Sequence, residues 1–256
     1  MIFYFTATGN SLYVAKQLDD EIISIPQIIA QGDLKFKADK IGIVTPVFSG
    51  KLPNIVQRFL EKADFETEYF YFIITYGAHD TVGPEWAMIY AENLGIMVNY
   101  ADSVHMVDNW LPSFDMNEQM AMDKNIPEQI QAIRENIAQC KDGIKKSNHD
   151  DRALYAMVRK RTRGFGGGFS GLVKIQDNCT GCGICSKVCP VGNIKINSGK
   201  AEYIDSAVCE ACLACAHACP AKNIVITWGE KNPNARYRNP EITLDEIIKS
   251  NQQVDA

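Results

Sequence analysis

The chain has 256 residues, of which 46% are hydrophobic and 22% charged, and a net charge of −5. That length allows one large domain or two unequal ones. The acidic balance argues against nucleic acid as a partner, because clustered basic surface supplies most of that affinity. No apolar run reaches the 18 or so residues needed to span a membrane, and the N-terminus lacks the basic leader of a secretory signal.

In chain order, the first 148 residues alternate strand-like and helix-like segments. Met1–Phe5, Glu21–Ile25, Lys40–Pro46, Tyr69–Thr75 and Met97–Val107 are short, rich in Ile, Val, Phe and Tyr, and bounded by turn residues. Between them, a helix after Pro53 places Ile55, Val56, Phe59 and Leu60 on one face. The next starts at Pro84, with Trp86, Ile89, Tyr90 and Leu94 as its expected stripe, and stops at Gly95. A last helix follows Pro127, with Ile130, Ile133, Ile137, Cys140 and Ile144 three and four apart, which makes Cys140 an expected buried thiol. Five strands separated by helices predict an α/β fold with a parallel sheet, whose ligands gather at the C-terminal strand edge.

The loop after the first strand reads Thr6-Ala-Thr-Gly-Asn-Ser11. It has neither the lysine and spacing of a Walker loop nor the three glycines of a Rossmann turn. Its hydroxyls, the Asn10 amide and the free N–H groups of a helix start suit either a compact phosphate or a plain helix cap. At the same edge lie Pro46-Val-Phe-Ser49, Thr75-Tyr-Gly-Ala78 and Asp108-Asn-Trp110. Each carries an aromatic residue, Phe48, Tyr76 or Trp110, on which a flat ring could stack. His79 and His105 lack metal-ligand spacing to each other or to a cysteine outside the repeat.

Asp150–Arg163 reads as a basic helix whose run Arg152–Arg163 is either a solvated face or a surface that steers an acidic partner, and Gly164–Gly171 as a connector or a chain reversal. The expected division is 1–148, a linker at 149–172, a small domain at 173–228 and a polar tail at 229–256.

Eight of the nine cysteines fall between 179 and 219. A disulfide framework belongs to small secreted domains, so cluster ligation in a reducing cytoplasm is expected instead. KIQDNCTGCGICSKVCPVGNIKI aligns with IDSAVCEACLACAHACPAKNIVI at an offset of 30 residues, and each half reads C-x2-C-x2-C-x3-C-P. Two-residue gaps keep three thiolates within reach of one cubane. The fourth cysteine, expected to open a helix leading away, reaches the other cluster. The assignment is Cys179, Cys182, Cys185 and Cys219 to one [4Fe–4S] cluster, and Cys209, Cys212, Cys215 and Cys189 to the second. Zinc is the alternative, but its knuckles are usually two separated cysteine pairs. Leu213 stands where the first half has Gly183, a difference expected to shield the second cluster.

Residues 173–228 resemble the bacterial-type two-[4Fe–4S] ferredoxins. Residues 1–148 resemble the flavodoxins through Thr6, Thr8, Gly9 and Ser11, although Phe48 stands where flavodoxins usually have Trp or Tyr. That resemblance implies a five-stranded sheet of order 2-1-3-4-5 and FMN, with Thr6, Ala7, Thr8, Gly9, Asn10, Ser11 and Leu12 on its phosphate. It places Pro46, Val47, Phe48, Ser49, Thr75, Tyr76, Gly77, Ala78, Asn109 and Trp110 around the ring. The whole arrangement resembles the flavodoxin–ferredoxin fusion family of anaerobic bacteria. It implies electron transfer between two [4Fe–4S] clusters and FMN, with a ferredoxin or an oxidoreductase as partner. A flavin-dependent reductase of a small substrate, or a plain ferredoxin on an empty scaffold, are the alternatives. No catalytic acid or base is assigned, and the sequence leaves the oligomeric state open.

Overall fold

The computed structural model describes residues 1–162, 171–205 and 208–252. Most of the glycine-rich connector and the last four residues of the tail therefore lie outside the described residues. In chain order the elements begin β1 (Ile2–Tyr4), α1 (Asn10–Leu18), β2 (Ile22–Ser24), α2 (Ile25–Ile28), β3 (Lys35–Lys37) and β4 (Lys40–Pro46). Then come α3 (Asn54–Lys62), β5 (Asp64–Glu66), β6 (Tyr69–Tyr76), α4 (Gly83–Asn93) and β7 (Tyr100–His105). After these are α5 (Met116–Ala121), α6 (Ile126–Ala138), β8 (Gly143–Ile144) and α7 (His149–Thr162). The C-terminal part adds β9 (Val173–Ile175), α8 (Ile184–Lys187), β10 (Ile194–Asn197), β11 (Lys200–Tyr203), α9 (Ala214–Ala218), β12 (Ile224–Ile226) and α10 (Leu244–Asn251). No helix among the described residues is long and apolar enough to cross a membrane.

The chain divides into two compact units. One is Met1–Phe5, Asn10–Met106 and Lys124–Arg163; the other is Thr6–Gly9, Val107–Asp123 and Gly164–Ala256. Two loops expected within the sheet domain thus group with the C-terminal unit. The cause is visible in their bonding. The Asn239 N–H donates to the Thr8 carbonyl at 2.8 Å, and the Lys231 N–H to the Leu111 carbonyl at 2.9 Å.

In the first unit the β2-β1-β4-β6-β7-β8 sheet is parallel throughout. Its central strands are buried on both faces, so β6 reads as the unbroken apolar run YFYFIITY. The expected five strands become six, and numbered over every strand of the chain the order reads 2-1-4-6-7-8 rather than 2-1-3-4-5, because β3 and β5 stand outside the sheet. Gly143–Ile144 adds an edge strand where Ile144 was expected on a helix. β3 and β5 pair with each other outside the sheet. Three-residue Lys-Phe-Lys and Asp-Phe-Glu strands are too short to show a period. What holds them is Phe36 against Phe3, at 4.5 Å between ring centroids, and Phe65 against Phe70 at 5.2 Å.

Two helix readings are corrected as well. The face that α4 buries is Gly83, Pro84, Ala87 and Ala91, while Ile89 and Leu94 are exposed. Small residues let a helix lie close on the sheet, so the larger side chains turn outward. α6 buries Ile130 and Ile133 as its spacing implies but stops at Ala138. Cys140 then sits exposed in a left-handed turn with φ +49°.

In the second unit β9 pairs antiparallel with β12, and β10 with β11 through a turn at Ser198–Gly199. One core joins Leu172, Ile194, Leu213, Ala216, Ile224 and Ile226 to Leu111, Met116, Ala235 and Tyr237. The polar-looking tail contributes a buried ion pair, Arg236 with Glu230 at 2.8 Å. It ends in α10, whose start is closed by a capping box between Thr243 and Glu246.

Candidate metal centres

The second unit brings the eight repeat cysteines into two groups of four. Cys179, Cys182, Cys185 and Cys219 line one cavity, with Gly181, Gly183 and Ile196. Cys189, Cys209, Cys212 and Cys215 line the other, with Tyr203, Glu210 and Leu213. The cavities enclose about 330 and 380 Å³, counting the part open to solvent.

Local backbone explains the exchange of ligands between motifs. The first three cysteines of each motif lie on a loop containing left-handed residues, and the third enters a single helical turn, α8 or α9. Cys189 and Cys219 stand just past the ends of those turns. The fourth cysteine thus closes a helix rather than opening one, and the turn carries its sulfur to the neighbouring cavity. Asn193 and Asn223, equivalent in the repeat, donate their backbone N–H to the sulfurs of Cys189 and Cys219 at 3.2 and 3.3 Å. The N–H groups of Ala201 and Ala211 do the same for Cys179 and Cys209, at 3.5 and 3.4 Å. The Tyr203 hydroxyl lies 4.0 Å from the Cys215 sulfur.

Electrostatics show what the cavities require of a ligand. Burial, then the neighbouring Cys182 and Cys179, pushes the Cys185 thiol up to about 11. Burial likewise raises Cys189, Cys209, Cys212 and Cys215. Four crowded thiols become thiolates only around a cationic core, which is the condition for metal ligation. A single zinc ion would draw its sulfurs to about 2.3 Å from one point. Among the described residues no three His, Cys, Asp or Glu side chains are placed to hold one ion; each quartet lines a cavity.

Residues 172–220 match the family model described as 4Fe-4S dicluster domain. This stretch is a dicluster domain of ferredoxin type. No curated protein matches the chain.

The residues expected around FMN are not brought together in one unit. Thr6, Ala7, Thr8, Gly9, Asn109 and Trp110 belong to the unit of the dicluster domain. Asn10, Ser11, Leu12, Pro46, Val47, Phe48, Ser49, Thr75, Tyr76, Gly77 and Ala78 belong to the sheet unit. Several of their polar groups have protein partners. Thr6 Oγ1 accepts from the Gly9 N–H at 3.0 Å, Thr8 Oγ1 from Asn109 Nδ2 at 3.1 Å, and the Ser11 and Thr75 hydroxyls bond each other at 2.8 Å. Thr6, Thr8 and Ser11 are only 1–3% exposed. A Cβ at Gly9 would stand 3.0 Å from the Cβ atoms of Asn239 and Ile242. The tail residues Asn239 and Ile242 thus lie close against the turn. Of the three aromatics, Phe48 packs edge-on to Phe5, Tyr76 stacks on His105, and Trp110 meets Trp228.

Sequence reasoning missed Tyr203, His217 and the tail residues. The tail had one signal, the Thr-x-x-Glu box at Thr243. Tyr203 reaches its place through a hairpin register that no motif announces.

Proposed function

We propose that this chain is an electron-transfer protein that holds two [4Fe–4S] clusters. Cys179, Cys182, Cys185 and Cys219 hold one; Cys209, Cys212, Cys215 and Cys189 hold the other. The observation that carries this reading is the pair of cavities, each lined by three cysteines of one motif and the fourth of the other. Bound clusters supply one-electron chemistry, and the protein sets distance, shielding and potential. The four backbone N–H donors stabilise negative charge on the sulfurs, while Leu213 and Tyr203 exclude water from the second site. Cys182 is exposed, which gives the first site the shorter route to a redox protein in a reducing compartment such as the cytoplasm.

The test is anaerobic purification of the full chain with iron and acid-labile sulfide counting, followed by EPR after reduction. About eight irons and eight sulfides per chain are expected. Zinc in place of iron would overturn the reading, and about four irons would reduce it to one cluster.

FMN remains a second reading, favoured by the position of the Thr-Gly turn. It follows β1 and precedes α1 in a parallel sheet, at a place where such sheets bind ligands. Flavin extracted at about one per chain would support it; flavin-free protein would remove it.

A further inference from the structure

Helix α9 carries Cys215 toward one cavity, and Cys219 just beyond it lines the other. Between them His217 is 9% exposed. Its Nε2 lies 2.8 Å from the Asn109 carbonyl. A carbonyl only accepts, so this nitrogen carries the hydrogen, and Nδ1 is left to accept the Tyr237 N–H at 3.0 Å. Both ring nitrogens are therefore committed, on opposite sides of the ring.

Each partner leads on to the same residue. Asn109 Nδ2 donates to Thr8 Oγ1 at 3.1 Å. Two residues past Tyr237, the Asn239 N–H donates to the Thr8 carbonyl at 2.8 Å. Two arms thus run from the helix between two cysteine ligands to the Thr-Gly turn, all within one compact unit. Simple packing would require the volume of the imidazole but neither of its nitrogens.

We propose that His217 is a positioning residue that couples the Thr-Gly turn to the ligands Cys215 and Cys219, so that a change at Thr8 is felt at the clusters. The inference rests on the cluster reading. Its physical basis is that cluster potentials respond to the hydrogen bonds and dipoles around the sulfurs, which move with the backbone of α9.

The test uses full-length protein purified without oxygen, with iron counted first and the clusters then titrated by EPR. Thr8→Val and His217→Leu should each change the reduced-to-oxidised ratio of at least one cluster, at a fixed applied potential, by about fivefold or more. Thr8→Ser and His217→Gln, which keep the hydroxyl and a two-headed polar group, should stay near wild type. Because both losses cut one network, the Thr8→Val/His217→Leu pair should shift no further than His217→Leu alone. If His217→Leu does not fold, the Thr8→Val and Thr8→Ser comparison decides. Clusters present at full iron content with an unchanged ratio in Thr8→Val would overturn the coupling and leave the cluster reading standing. A wild-type chain without iron would remove both.

Discussion

Before the second cysteine of each motif the backbone is left-handed, with φ +65° at Gly181 and +54° at Ala211. After it the same holds, with φ +79° at Gly183 and +61° at Leu213. A third pair, Gly192 and Lys222, repeats the pattern at +60° and +53°. The two halves of the dicluster domain thus share one backbone path, which three glycines follow freely in the first half. In the second half Ala, Leu and Lys each meet a cost of about 1–2 kcal/mol. The path is set by the need to aim sulfurs inward. The choice of residue is set by what lies outside the loop. Gly181 faces the hairpin turn so closely that a Cβ would stand 2.1 Å from the Gly199 carbonyl oxygen. The second half uses the larger Leu213 to cover its cavity.

That contrast can be broken most severely at a ligand. Cys212→Ser should remove about half of the iron and leave the first site filled, as read by iron counting and EPR. Loss of all iron would show that the halves do not assemble independently. Gly181→Ala comes next. Its Cβ meets backbone rather than a flexible side chain, so a loss of roughly 3 kcal/mol or more is expected in denaturant unfolding, with the first site affected before the second. Tyr203→Phe sharpens the comparison from the other side. Burial raises the Tyr203 pKa and keeps its hydroxyl protonated near the Cys215 sulfur. Removing that hydroxyl should change the reduced-to-oxidised ratio of the second cluster by about twofold at fixed potential, and leave the first unchanged. Smallest of all, Ala211→Gly relieves a left-handed alanine and should raise stability by about 0.5–1 kcal/mol in the same unfolding assay. A loss there would mean that the alanine side chain contributes more to the second site than its backbone strain costs.

What could be read in advance followed from how each residue acts. The cysteines declared themselves because ligand spacing is a local property, and the cavities group them by the expected quartets. The apolar runs of β4 and β6 were legible for a similar reason, since burial on both faces leaves an unbroken signal. Cys140 misled because helical spacing continues on paper past Ala138, where the chain has already turned. Ile89 and Leu94 misled because α4 packs through alanines, and close approach outweighs the burial of larger side chains. The partners of Thr6 and Thr8 were out of reach: Asn109, Asn239 and Asn251 carry no periodicity, and only the folded chain brings them to the turn.

One of those bonds has a consequence for how the chain is made. Asn251 Nδ2 donates to the Thr6 carbonyl at 2.9 Å, across 245 positions of sequence. A ribosome adding about 5–20 residues per second places Asn251 roughly ten to fifty seconds after Thr6. Throughout that interval the Thr-Gly turn waits for α10. Completion of this turn therefore waits for the synthesis of α10, tens of seconds after the turn itself is made.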